Sequence, residues 1–417
     1  MYITRKIEAV VRNISQTFPA LMVTGPRQSG KTTLLKRLRE DARQYVSLDD
    51  PSDRLFAKTE PSAFLERHPP PVIIDEIQYA PELLPYIKIC VDRRKANGDF
   101  WLTGSQMFHM MKNVSESLAG RVGIVNLFGL SNSEITGALF GAFTTDSRRL
   151  QERMAAAPRM AGPEVFARIR SGGMPRVYEQ PGLDLDAYHS SYVQTYLSRD
   201  VRDLTQVADE LAFYRFLCIA AARTGSMANY DAMAKEAQVS APTAKQWLSV
   251  LVSSGVAILV EPYHNSALKR VVKSPRMYFM DTGLAAHLTR WHDAAVLESG
   301  AMAGAFFETY VVSEIYKSFV NAGQRPPLYY YRDSNAKEID LVIWQNGALH
   351  PIEIKKSANP IGAAKHFHAL DPAADGGNFD ELSRHQKMEI GPGCVVCLAN
   401  DLRPIDGKNW SVPVWLI

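Results

Sequence analysis

The sequence predicts an α/β fold class: a parallel sheet at the N-terminal end, a helical stretch behind it, and a second, C-terminal α/β unit. Three observations carry this. Short β-rich runs alternate with helical patterns up to about residue 130, the periodicity is wholly helical from about 133 to 204, and strand-like runs return beyond 269. A chain of 417 residues exceeds one ordinary core, so several units are expected, at 1–130, 131–205, 206–265 and 266–417. Hydrophobic residues at 46% and charged residues at 22% exclude a disordered chain. The formal net charge of +3 gives no global attraction for nucleic acid, so any basic surface must be local.

The first unit draws its strands from the runs at 21–24, 45–48, 72–74, 101–103 and 124–127, with helices on both faces of the sheet. The helical stretch that follows is broken by Gly172-Gly-Met-Pro175. From 230 to 262 the pattern reads helix, turn, helix and then an apolar strand. Ala234, Ala237, Val239, Trp247, Leu248 and Leu251 fall at helical spacing. Beyond it lie strand-like runs at 277–280, 328–332, 339–344, 351–354 and 395–398, with a helix around 306–319. Four cysteines are too few for a disulfide framework, and the Cys394-Val-Val-Cys397 pair reads as a buried strand. The first eleven residues lack the apolar centre of a signal peptide, and no apolar run approaches the ~20 residues that span a bilayer. A cytoplasmic protein with no membrane partner is expected.

The chemistry concentrates at strand ends. Gly25-Pro-Arg-Gln-Ser-Gly-Lys31-Thr32 matches G-x-x-x-x-G-K-[ST] and lies between an apolar strand and a helix at 32–40, the context that a P-loop requires. Its glycines let backbone N–H groups converge on phosphate oxygens, and the helix start adds the positive end of its dipole. Residues Gly25, Pro26, Arg27, Gln28, Ser29, Gly30, Lys31, Thr32 and Thr33 are therefore expected around ATP. Lys31 would face the β- and γ-phosphates, and Thr32 would face Mg²⁺. The strand Val72-Ile-Ile-Asp75-Glu76 ends in two carboxylates: Asp75 for the metal and Glu76 as general base for water. Trp101-Leu-Thr-Gly-Ser105 should be the strand between these two motifs, offering Ser105 or Thr103 to water or the γ-phosphate, or else merely ending in a turn. The carboxylate pair suits hydrolysis better than nucleotide-kinase chemistry.

Together with Ser117-Leu-Ala-Gly-Arg121, Gly172-Gly-Met-Pro175, Thr195-Tyr-Leu-Ser-Arg-Asp-Val201 and residues 274–284, these motifs resemble a bacterial and archaeal AAA-type ATPase family with a C-terminal domain of unknown function. The resemblance covers most of the chain. It implies that Arg121 is an arginine finger, in cis or across a subunit interface of a homo-oligomer, against the plain reading of a surface arginine after a turn. It also implies that Gly173 and Pro175 belong to a helical lid near the nucleotide. Arg199 and Asp200 read as a structural ion pair.

Residues 230–262 resemble a winged helix-turn-helix. If this unit reads DNA, Thr243, Lys245 and Gln246 face the groove. The basic run 269–276 offers phosphate contacts or is simply a solvated strand. Further on, Asp340 opens one strand and Glu353-Ile-Lys355 lies on the next, where alternation puts Glu353 and Lys355 on one face. Two carboxylates can hold Mg²⁺ beside a lysine that positions water, and Glu308 on the upstream helix would complete the set, with Glu314 as second choice. This arrangement resembles the PD-(D/E)XK, restriction-endonuclease-like nuclease fold, although Ile339 stands where that motif often has proline. Two readings stay open: an ATPase coupled to a DNA-directed nuclease, and a nucleotide-switched scaffold whose C-terminal unit only docks partners.

Overall fold

The computed structural model describes residues 2–104, 117–196, 210–264, 274–333, 335–371 and 389–417. Five strands, β1 (Ala20–Thr24), β2 (Gln44–Ser47), β3 (Val72–Asp75), β4 (Phe100–Gly104) and β5 (Val122–Asn126), form an all-parallel sheet in the order β2-β3-β4-β1-β5. The residues of β1, β3 and β4 are all buried. This is why their sequences read as continuous apolar runs rather than alternating ones. One face is covered by a core including Phe64, Leu84 and Ile87, the other by one including Val11, Leu34 and Leu35. β4 pairs with both β1 and β3, so the strand ending in Thr103 and Gly104 does lie between the two phosphate motifs.

A helical layer follows, with helices Ser147–Ala156, Gly162–Ser171 and Leu185–Tyr196. Helix Glu210–Ala222, strand β6 (Ser226–Met227), helices Tyr230–Ala237 and Ala241–Ser253, and strands β7 (Ala257–Pro262) and β8 (Arg276–Phe279) come next. Asn229 and Ser240 cap the two helices of the turn through side-chain bonds to Ala232 N and Thr243 N. β8 pairs antiparallel with both β6 and β7.

The C-terminal part adds helix Ala303–Asn321 and strands β9 (Leu328–Arg332), β10 (Glu338–Gln345), β11 (Ala348–Lys355), β12 (Glu389–Ile390), β13 (Cys394–Cys397), β14 (Arg403–Pro404) and β15 (Trp410–Pro413). β7 pairs parallel with β9, which joins both groups into one sheet ordered β14-β15-β13-β11-β10-β9-β7-β8-β6, with β12 on β11. The unit boundary expected at 265 therefore falls between strands of a single sheet. One large core runs from Phe143 through Phe213, Trp247 and Phe306 to Trp415, so the helical layer and the second sheet share a common interior. Cys394 and Cys397 are free and buried in β13, as a strand reading requires. Among the described residues no helix is long and apolar enough to cross a membrane.

Candidate active site

The loop after β1 curls because Gly25 (φ 139°), Gln28 (φ 60°) and Gly30 (φ 90°) adopt positive φ. The helix Lys31–Leu38 begins directly behind it. A methyl group on Gly25 would lie 2.1 Å from Leu127 O, so only glycine fits there. Lys31 is buried, and its Nζ donates to the loop carbonyls of Gly25 (3.0 Å) and Pro26 (2.9 Å). Thr32 Oγ1 donates to Asp75 at 2.9 and 3.1 Å, which puts the hydroxyl and the strand-end carboxylate side by side. Thr103 Oγ1 donates to Asp75 Oδ1 and accepts from Glu76 N at 3.1 Å. Glu76 has left-handed φ of 56°, turning off the sheet, and accepts from Gln78 Nε2. Ser105 lies outside the described residues, so of the two hydroxyl candidates only Thr103 is placed.

A cleft of about 410 Å³ is lined by Arg27, Gln28, Gly30, Lys31, Thr32, Thr33, Glu76 and Thr195. A second cavity of about 180 Å³ shares Gln28, Gly30 and Thr33 with it and extends to Tyr2, Ile3, Leu130 and Pro175. Pro175 thus packs against the phosphate loop, and Gly173 N donates to Asp281 at 2.8 Å.

Three contributors were not legible in the sequence. Arg5 is buried and donates to Glu134 (3.0 Å), Ser29 O (3.0 Å) and Phe128 O (2.7 Å), bracing the phosphate loop from behind. Tyr45 donates to Asp75 at 2.9 Å; burial and that carboxylate push its phenol well above its ordinary value. Tyr188 donates to Gln28 Oε1 at 2.6 Å, tying the helix Leu185–Tyr196 to the loop. Only Glu134 carried a local signal, because Ser131-Asn-Ser-Glu134 spells a capping box, and that box is present.

Arg121 needs a correction. It precedes the first residue of β5, which runs parallel to β1, so it stands at the sheet edge opposite the phosphate loop. Its guanidinium pairs with Asp92 at 2.6 and 3.0 Å. Action in cis on the chain's own nucleotide is ruled out by this placement.

The C-terminal residues converge more closely. Lys355 Nζ is 2.6 Å from Glu353 Oε2 and 3.2 Å from Asp340 Oδ2, and Ile354 N also donates to Asp340 at 2.9 Å. These groups open onto a cleft of about 650 Å³. Burial, and then Asp340 beside it, pushes the Glu353 carboxyl up to about 8. Glu308 departs from expectation. Tyr278 (2.7 Å) and Arg276 (3.1 Å) hold it, and it does not join Asp340 and Glu353 in a three-ligand group among the described residues. Burial and Asp340 raise its carboxyl to about 7. Glu314 is buried against Lys317 and bonds Asn132 N at 2.8 Å, a packing role. The basic run also changes meaning: 269–273 lie outside the described residues, and Arg276 is a buried cation touching Glu308, Glu338 and Asp340. Lys245 and Gln246 are exposed, Thr243 partly so, and Thr243 lies 2.7 Å from Ser240 Oγ. Arg199 and Asp200 are outside the described residues.

Comparison with known proteins assigns the first unit. Residues 17–136 match the family described as AAA domain, and they contain the glycine loop, the acidic strand end and all five parallel strands. This match supports an AAA-type ATPase domain over residues 17–136. Beyond it, residues 163–295 match Domain of unknown function (DUF8612), and residues 303–417 match Domain of unknown function (DUF4143). Uncharacterized proteins of Mycobacterium tuberculosis and Mycobacterium bovis are each 28% identical over 357 residues, which cover 85% of this chain and 74% of theirs. A Walker-type ATPase of Pyrococcus abyssi is similar in structure, with TM-score 0.42 and 14% identity over 68% of this chain and 94% of its own. RuvB of Thermotoga maritima has TM-score 0.29 and 19% identity over 61% of this chain and 87% of its own.

Proposed function

We propose that this chain is a Mg²⁺-dependent ATPase whose turnover acts on a nucleic-acid-directed C-terminal cleft. The observation that carries the ATPase part is the meeting of Thr32 and Thr103 on Asp75, each donating a hydrogen bond to its carboxylate, beside a positive-φ glycine loop that holds Lys31. In this reading the triphosphate lies along the loop, and the adenine fills the adjoining cavity between Ile3 and Pro175. The hydroxyl of Thr32 and the carboxylate of Asp75 suit Mg²⁺, an oxygen-seeking cation that neutralises phosphate charge when bound. Lys31 leaves its loop carbonyls for the β- and γ-phosphate oxygens. Glu76 takes the proton of a water as that water attacks the γ-phosphate, and ADP leaves. Thr103, held by both acidic residues' positions, orients that water. Tyr188 and Pro175 carry the change in the loop to the helical layer.

The test separates binding from chemistry. Lys31→Ala should abolish binding of a fluorescent ATP analogue. Glu76→Gln should bind it normally and lose turnover by about 10²–10⁴-fold. Unchanged turnover in Glu76→Gln removes it as the base.

For the C-terminal part, the helix-turn-helix order with its three-stranded β6-β8-β7 sheet supports a winged helix presenting Lys245 and Gln246 to DNA. Asp340, Glu353 and Lys355 support metal-dependent phosphodiester cleavage, with Mg²⁺ on the two carboxylates. A second reading is favoured by Arg276, whose guanidinium already serves Asp340 as a cation; the cleft would then dock a partner without cutting it. Plasmid cleavage in Mg²⁺ or Mn²⁺, lost in both Asp340→Ala and Lys355→Ala, supports the nuclease. Absence of cleavage in either metal supports the docking unit.

A further inference from the structure

The helix Leu185–Tyr196 and the segment behind helix Thr282–Leu288 bring together side chains that the nucleotide chemistry leaves unused. Asp186 Oδ1 lies 2.7 Å from His292 Nδ1, 3.3 Å from His287 Nδ1 and 2.7 Å from Arg170 Nη2. One ligand atom from each of Asp186, His287 and His292 falls within 4.8 Å of the others. The chain is built to bring the two imidazoles together. Arg290 takes φ 62° while Arg290 N bonds His287 O at 3.0 Å and Trp291 N bonds Ala286 O at 2.8 Å, a helix end that folds His292 back beside His287.

A second observation points to a ligand. His189, one turn along from Asp186, is fully buried; its Nε2 has no hydrogen-bond partner among the described residues, and its ring centre is 5.7 Å from that of His287. Leaving a buried imidazole nitrogen unpaired is costly in a site that holds nothing.

Two imidazoles and a carboxylate are the donor set of a borderline-soft divalent cation rather than of Mg²⁺ or Ca²⁺, which take oxygen. Zinc bonds of about 2.0–2.1 Å place tetrahedral ligand atoms roughly 3.3 Å apart. The 3.3 Å between Asp186 and His287 matches that spacing, and the 2.7 Å between Asp186 and His292 would open by about 0.6 Å to admit the ion. Arg170 Nη2 donates to that same Asp186 Oδ1 and holds the carboxylate in place, and Ser190 Oγ, 3.5 Å from His287 Nε2, stands behind that imidazole. We propose that Asp186, His287 and His292 form a site for a divalent transition-metal cation, with Zn²⁺ the ion its chemistry selects, clamping the helix Leu185–Tyr196 to the segment 282–293. That helix also carries Tyr188, bonded to Gln28 of the phosphate loop, so the ion would fix one wall of the nucleotide cleft.

The full chain, stripped with EDTA and free of nucleotide and Mg²⁺, is titrated with Zn²⁺ by calorimetry and with Co²⁺ by visible absorption. One equivalent should bind, with ligand-field bands of nitrogen-coordinated cobalt. His287→Gln and His292→Gln should each weaken binding by about ten-fold or more. The half-exposed position of His292 makes its variant safe for folding, which circular dichroism checks. Failure of the wild-type chain to take up Zn²⁺, or wild-type affinity retained in both histidine variants, overturns the proposal.

Discussion

At the scale of single residues, the legible part of the nucleotide site was the part written locally. Lys31 and Thr32 sit in one octapeptide and Asp75 and Glu76 at one strand tip, so spacing alone named them. Arg5 and Tyr45 escaped because they act across 129 and 30 residues of sequence, and nothing local distinguishes a loop-bracing arginine from a surface one. Arg276 misled for the same reason: a basic residue in a basic run looks solvated until the fold buries it among three carboxylates. Glu353 makes this environment measurable. Its carboxyl, ordinarily near 4.5, is raised to about 8 by burial and then by Asp340, so the folded chain holds a proton there that the unfolded chain releases. That stabilisation is complete below pH 4.5 and disappears as pH climbs through about 8. Glu353→Gln lacks the titration. The melting temperature of the wild type should therefore fall relative to Glu353→Gln as pH rises over this interval without divalent metal. A difference that stays level with pH removes the raised carboxyl from the account.

At the scale of elements, the parallel sheet was readable because strands buried on both faces leave continuous apolar runs, whereas the position of β4 between β1 and β3 was expected from the P-loop fold and not from the runs themselves. The pairing of β7 with β9 was not readable. The two strands lie far apart in sequence, and hydrogen-bonding across a sheet leaves no trace in composition. The phosphate loop illustrates how an element is enforced by a neighbour rather than by its own propensity. Gly25 lies against the backbone of Leu127, just past β5, with Cβ space closed to 2.1 Å. Gly25→Ala should thus cost about 1–3 kcal/mol of stability through overpacking, in addition to the strain of φ 139°. Gly120→Ala is the control: it also has positive φ, but its Cβ would meet nothing within 4 Å, so only the conformational penalty of about 1 kcal/mol applies. Urea unfolding of both variants compares them. Equal midpoints would show that the contact with Leu127 O does not constrain the loop.

At the scale of the whole molecule, the position of Arg121 limits where its charge can act. The parallel sheet puts the phosphate loop at one edge and Arg121 at the other, so the only nucleotide it can serve belongs to a second copy of the chain. In the single chain its guanidinium is half-exposed and held by Asp92, a surface pair that contributes little to stability and can be exchanged for a phosphate. If it stabilises the transition state across an interface, Arg121→Ala should bind ATP normally while turnover falls by about 10³-fold or more. Lys31→Ala, by contrast, loses its own nucleotide but keeps Arg121. Mixing these two inactive variants should then restore turnover, because the ATP held by one copy meets the arginine of the other. The rate should rise with protein concentration as mixed assemblies form, and gel filtration with ATP should show the larger species. A mixture no more active than its components, or an Arg121→Ala chain that hydrolyses ATP at the wild-type rate, leaves the Arg121–Asp92 pair as a surface contact and removes the need for an assembly in the chemistry.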